Sequence, residues 1–215
     1  TLNILNAALD NGVRRVVYAS SSSIYGENPA LPKLESMAPR PISPYAVTKL
    51  AGEHYCQVFF KTYGLETVCL RYFNVFGLGQ DPKSQYAAVI PLFITAFLEG
   101  GHITVNGDGD QSRDFTYIEN VIQANLLAAE ASGATGEAFN IACGIRTSLN
   151  KILDHLRRFT EINVEVAYES PRKGDVKHSL ANIEKAQKIL RYYPKVSVKE
   201  GLLRSVEYYR TVRKR

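Results

Sequence analysis

Arg14-Arg15-Val16-Val17-Tyr18-Ala19-Ser20-Ser21-Ser22-Ser23 is a short apolar run that ends in four consecutive serines. Its length, its paired valines and its break into a turn-forming serine tract predict a short apolar strand with a polar carboxyl end. Upstream, Leu2, Leu5 and Leu9 recur at helical spacing and Gly12 follows as a stop, so a helix covers about residues 1–11. Downstream, Pro29, Pro32, Pro39, Pro41 and Pro44 mark a loop, and a helix runs from about Tyr45 to Tyr63 before Gly64. Thr67-Val68-Cys69-Leu70-Arg71 then reads as a second strand, this one buried. Helix, strand, helix, strand, with apolar strands, predicts an α/β fold on a parallel sheet.

The pattern loosens after Asn74. A loop over 77–85 leads to a helix near 89–98, a strand at Ile103–Val105 and the turn Asn106-Gly107-Asp108-Gly109. A helix over 119–131 and a strand at Ala138–Ile141 follow. Next come a helix over 149–160, a loop over 169–174, and short helices over 183–190 and 199–213. Residues 1–74, with parts of 115–142, are assigned to a doubly wound parallel sheet. Residues 75–114 and 143–215 are assigned to a smaller α/β substrate lobe.

Composition narrows the function. The 215 residues are 45% hydrophobic and 22% charged, enough for an extensive core. No run reaches the eighteen apolar residues of a membrane span, and no secretory signal is visible. Cys56, Cys69 and Cys143 form no CxxC pair, which points to a reducing cytoplasm. The net charge of +5 is dispersed apart from the tail Arg210–Arg215. That argues for a small anionic ligand and against a nucleic-acid or membrane partner. No cluster with metal-ligand spacing is read. The chain opens at Thr1 inside a helical pattern, so it is expected to begin within a domain.

Tyr45 and Lys49, in Ser43-Pro44-Tyr45-Ala46-Val47-Thr48-Lys49, stand at i and i+4 on one helix face. A phenol serving as a base near neutrality needs its ionisation favoured by roughly three units, about 4 kcal/mol. An ammonium about 4 Å away supplies about that much at an effective dielectric near 20. With thirteen tyrosines present, about one Tyr-x-x-x-Lys arises by chance, so context must decide. The context is the serine run, at the carboxyl end of a strand where open α/β sheets bind ligands.

The stretches Tyr18 to Gly26, Ser43 to Lys49 and Leu70-Arg71-Tyr72-Phe73-Asn74-Val75-Phe76-Gly77, taken in this order, resemble extended short-chain dehydrogenases/reductases. Tyr86 to Pro91, Asn106 to Gly109, Ser112 to Phe115 and Arg172 to Ser179 extend the likeness to about residue 209. Within that group the chain is most similar to UDP-hexose 4-epimerases, particularly those acting on UDP-N-acetylglucosamine. The resemblance implies the C-terminal part of a Rossmann-like sheet, NAD as cofactor and a UDP-sugar as substrate. The sugar is epimerised at carbon 4 through a 4-keto intermediate, with a role in polysaccharide biosynthesis.

Residue roles follow from the resemblance. Tyr45 is the base at the sugar 4-hydroxyl, with Ser21 bonded to the same oxygen and Ser22 shaping the site. Lys49 holds the nicotinamide ribose and favours the phenolate, and Ala19 and Phe73 lie by the nicotinamide, Phe73 otherwise being plain core. Arg113 and Arg172 meet the diphosphate, because guanidinium matches phosphate oxygens. Asn74, Gln80 and Thr104 are substrate contacts, Ala88 and Val89 line the uracil end, and Asp175 takes the uridine ribose. Ser179 falls at the family's size-limiting position, where a small side chain admits an N-acetyl group; the alternative is an ordinary strand serine.

Ser22-Ser23-Ile24 carries no acid, which argues against the dehydratases of the group. A UDP-glucuronate or UDP-N-acetylhexosaminuronate 4-epimerase stays open, as does a non-catalytic nucleotide-sugar-binding or dimerisation fragment. The Gly-rich dinucleotide fingerprint is not found; Gly77-Leu78-Gly79 and Gly107-Asp108-Gly109 neither follow a strand nor open a helix. It is expected in roughly one hundred residues before Thr1, which would leave this chain a poor NAD binder. A homodimer through the helices over 1–11 and 45–63 is also implied.

Overall fold

A computed structural model of the chain describes residues 1–82, 88–171 and 177–213. Three parallel strands form the larger sheet: β1 (Arg15–Ser21), β2 (Glu66–Tyr72) and a later strand over Ala138–Ile141. β2 is central, with Arg15 opposite Glu66, Ser21 opposite Tyr72, and Cys69 opposite Ala138. Its alternate residues serve two different cores, as strand geometry requires. Cys69 packs with α1 (Leu2–Asp10) and α2 (Pro44–Tyr63) through Leu5, Ala8, Cys56 and Phe59. Val68 and Leu70 pack on the opposite face with Val121, Ala124 and Ala128 of a helix over Ile118–Glu130. Helices on both faces of a parallel sheet make the doubly wound layer that the sequence predicts.

The start of α2 is fixed locally. Ser43 accepts a hydrogen bond from the Ala46 amide at 3.2 Å, and Pro44 occupies the first helical position. Gly64 closes the helix at φ 74°, its amide donating to Phe60. Gly52 faces Tyr18 so closely that a Cβ there would collide with the phenol ring, which lets α2 lie against β1.

A further core gathers α3 (Val89–Glu99), the helix over Leu149–Thr160 and the one over Val198–Arg213. Phe76, Phe93, Phe97, Phe115, Leu156 and Leu202 fill its centre. Three further strand pairs complete the fold. β3 (Val75–Phe76) runs parallel to Thr116–Tyr117, Ser112–Arg113 runs antiparallel to Thr147–Ser148, and His102–Asn106 runs parallel to Glu165–Glu169. The segment over 165–169 carries no strand signal because it is largely exposed, leaving no alternation to read. The helix expected over 183–190 is a π-helical turn over Ala186–Leu190, ended by Arg191 at φ 58°.

Candidate active site

At the end of β1 the chain turns from Ser21 into a short 3-10 helix over Ser22–Tyr25. Ser21 Oγ accepts from the Ser23 amide at 3.2 Å and so caps that helix. Tyr45 stands in the first turn of α2, 55% exposed, and lines one cavity with Ser20 to Ser23, Tyr72 and Asn74. One turn on, Lys49 Nζ donates to the Ala19 carbonyl at 2.9 Å and lies 5.6 Å from the Tyr45 ring centre. The fold therefore brings Tyr45, Lys49, Ala19, Ser21 and Ser22 together around the end of one strand.

Asn74 is the joint between this cavity and two others. Its backbone sits at φ 33°, in the left-handed region that asparagine tolerates better than most residues, and its carbonyl accepts from the Thr116 amide at 3.1 Å. Strained backbone of this kind is characteristic of ligand sites. Beyond Asn74 lies a cavity of about 290 Å³ lined by Ala88, Val89, Thr104, Arg113 and Phe115. α3 opens on Ala88, which has no side chain to cap the helix's first amides. Arg113 borders this cavity and the third one, and its Nη1 donates to the carbonyls of Ser112 and Lys177 at 3.1 and 2.9 Å.

The third cavity holds Ser179 and one side of Phe73. Phe73 is fully buried among Ile24, Tyr25 and Ala181, so it serves as core as well as wall. Gln80 lines none of the three cavities. Its carbonyl accepts from the Tyr209 hydroxyl on the C-terminal helix, which draws it towards that helix. Arg172 and Asp175 lie outside the described residues.

Two wall residues had no role in the sequence reading. His178 lines the third cavity, with Nδ1 2.9 Å from Ser112 Oγ; burial and the nearby Arg146, Lys177 and Arg113 hold its ring below the usual histidine range. Gln111 borders the second cavity and donates from Nε2 to the Asn106 carbonyl at 2.7 Å. Asp114, next to Arg113, is fully buried, and its carboxylate accepts the amides of Cys143, Gly144 and Ala181 at 2.9, 3.0 and 3.2 Å.

A Tyr-x-x-x-Lys helix laid over the serine-bearing end of a parallel sheet is the arrangement of the extended short-chain dehydrogenases/reductases. The model of the NAD dependent epimerase/dehydratase family matches residues 1–142. A putative UDP-glucose 4-epimerase of Methanocaldococcus jannaschii is 37% identical over 97% of this chain and 67% of its own length. The UDP-glucuronate 4-epimerase of Thermodesulfobacterium geofontis is 36% identical over 97% of the chain and 63% of its own length. Among solved structures, the UDP-N-acetylglucosamine 4-epimerase of Methanobrevibacter ruminantium, in complex with UDP-N-acetylmuramic acid, superposes with a TM-score of 0.94 at 40% identity. It is matched over 98% of this chain and 67% of that one. The Thermotoga maritima UDP-glucose 4-epimerase with UDP-glucose gives 0.93 at 39% identity, over 98% and 68%. The chain belongs to the NAD-dependent epimerase/dehydratase family, and it spans about two thirds of the length of these relatives.

Proposed function

We propose that the chain carries the sugar site and proton-transfer residues of a UDP-sugar 4-epimerase acting on a UDP-N-acetylhexosamine or UDP-hexose. The observation that carries this reading is that Asn74 lines both the cavity of Tyr45 and the two cavities bordered by Arg113. Related proteins named as 4-epimerases for UDP-glucose, UDP-N-acetylglucosamine and UDP-glucuronate support the reaction type.

NAD fits the residues present at its reactive end. Lys49 has three N–H donors and spends one on Ala19, leaving two for ribose hydroxyls, and Tyr45 stands exposed beside it. Bound NAD supplies the acceptor, and later the donor, of the hydride at carbon 4. The chain's own residues do the rest. Tyr45 takes the proton of the 4-hydroxyl as its carbon is oxidised, and returns it after the keto sugar has presented its other face. Ser21 Oγ already accepts from Ser23, so its own proton is left to donate to the same oxygen. Arg113 borders both the cavity of Ala88 and Val89, taken as the uracil end, and the cavity of Ser179, taken as the sugar end, where a diphosphate would cross.

The test supplies NAD and UDP-N-acetylgalactosamine to the protein and follows formation of the gluco epimer. Binding of both NAD and UDP with no interconversion would sink the enzyme reading in favour of a nucleotide-sugar-binding module. Ser179 is the substrate-size residue in this scheme. Ser179→Tyr is expected to lower kcat/KM about tenfold or more for N-acetylated substrates, and distinctly less for plain hexoses. Equal losses on both would remove that role.

The same reading pairs the protein with a second copy through α1 and α2, whose outer faces expose Ile4, Tyr55, Val58 and Tyr63. It also assigns the protein to the cytoplasm, which suits three unpaired cysteines. Among the described residues no helix is long and apolar enough to cross a membrane.

A further inference from the structure

Glu53 is an unusual residue to find 1% exposed. It stands one turn beyond Lys49 on α2, so Tyr45, Lys49 and Glu53 form one row at i, i+4 and i+8. Arg71 of β2 meets it as a fork, with Nε 2.9 Å from Oε1 and Nη2 2.8 Å from Oε2. A buried pair of this kind gains little stability over an apolar pair of the same shape. Its hydrogen-bond partners show what else it does.

Ser20 Oγ, 2% exposed, donates to Glu53 Oε1 at 2.5 Å. Ser20 directly precedes Ser21, and the residue before it, Ala19, gives its carbonyl to Lys49. Two successive residues of β1 are thus stapled to two successive turns of α2. On the other side, Arg71 Nη1 donates to the Tyr25 hydroxyl at 2.9 Å, and Tyr25 donates on to Asn140 Oδ1 at 2.7 Å. Burial pushes the Tyr25 phenol up to about 12, so it keeps that proton. Tyr25 ends the 3-10 helix that Ser21 begins. Ser20, at the head of the serine run, and Tyr25, two residues past its end, are therefore tied to the same carboxylate–guanidinium pair.

We infer that Glu53, held by Arg71, is a positioning residue for the reaction: through Ser20 and Tyr25 it fixes where Ser21 and Ser22 stand relative to Tyr45. The inference rests on the epimerase reading for its effect on turnover, but its structural half does not. A misplacement of about 1 Å at a catalytic group costs about a hundredfold in rate, whereas a nucleotide anchored in a separate cavity would not register it.

Ser20→Ala removes one oxygen from the network and leaves the ion pair, so the fold is retained. Ser20→Thr keeps the hydroxyl and serves as rescue, and Glu53→Gln keeps an acceptor for Ser20 while discharging the pair. The variants are assayed for epimerisation with NAD, for UDP affinity by calorimetry and for amide hydrogen exchange over residues 20–26. Ser20→Ala is expected to lower kcat about tenfold to a hundredfold with UDP affinity unchanged, and Ser20→Thr to recover most of it. Exchange over 20–26 should rise about tenfold while α2 stays protected. Glu53→Gln should move all readouts the same way. Wild-type exchange over 20–26 in Ser20→Ala, or a parallel fall in kcat and UDP affinity, would overturn the inference. A wild-type protein that binds UDP but never turns over would count against the epimerase reading alone, and the exchange result would still decide this one.

Discussion

Tyr45→Phe is expected to cut epimerase turnover by about a thousandfold or more while UDP affinity stays within about twofold, since positioned acid–base groups contribute 10²–10⁴. The change removes a single oxygen from a ring that is 55% exposed at the cleft. Nothing that builds α2 depends on that oxygen. The helix is opened by Ser43 and Pro44, and Thr48 bonds to the Tyr45 backbone carbonyl, not to its side chain. The face of the ring remains for the Lys49 ammonium. The cavity proposed for the nucleotide is lined by Ala88, Val89, Thr104 and Arg113, with Tyr45 absent from it. Loss of rate without loss of UDP binding, measured by steady-state kinetics and calorimetry on one preparation, is thus the signature of a proton-transfer residue. A variant turning over at near the wild-type rate would show that another group takes the 4-hydroxyl proton. Ser21 would then be the next residue to change, as it lines the same cavity as Tyr45.

How much of this was legible depends on whether a residue's role is local. β2 could be read because both of its faces are buried, giving a continuous apolar run, and half-buried β1 because Val16-Val17-Tyr18 is an apolar run that breaks into serines. The start of α2 could be read because Ser43-Pro44 is a cap and first-turn signal in itself. Tyr45 and Lys49 needed only helix geometry to be paired. The strand over Glu165–Glu169 could not be read, because its pairing with His102–Asn106 buries almost none of its side chains. Two-residue pairings such as Ser112–Arg113 with Thr147–Ser148 have no period at all. Asn74 was named as a contact, but its left-handed backbone arises from the junction it occupies, which no neighbour in sequence encodes. Glu53 is the sharpest case. An acid on a helix reads as solvated surface, and only the approach of β2 turns it into the buried partner of Arg71.

Asp114 gives the largest expected effect on stability, and its sign separates two physical forces acting on one carboxyl. Burial opposes its charge, while the amides of Cys143, Gly144 and Ala181 favour it. Burial is the stronger, and the carboxyl is raised from 3.8 to about 6. Between those values the folded protein holds a proton that the unfolded chain has released. Stability contributed by this group is therefore fully present below about pH 4 and is lost as pH rises through 6, by about 3 kcal/mol for a shift of roughly two units. Asp114→Ala leaves three buried amides without acceptors, at a cost of about 1–3 kcal/mol each, and it removes the titration. Denaturant unfolding of both proteins from pH 4.5 to 7.5 should show the variant less stable throughout, with the gap widest at the acid end and narrowing towards pH 7. A gap that widens with pH would mean that the three amides outweigh burial and hold the group ionised. Because the amides come from residues 143–144 and from 181, the carboxyl ties the strand carrying Arg113 to two distant segments. Arg113 should accordingly lose alignment in the variant, and UDP affinity should fall together with stability, whereas in Tyr45→Phe the two stay apart.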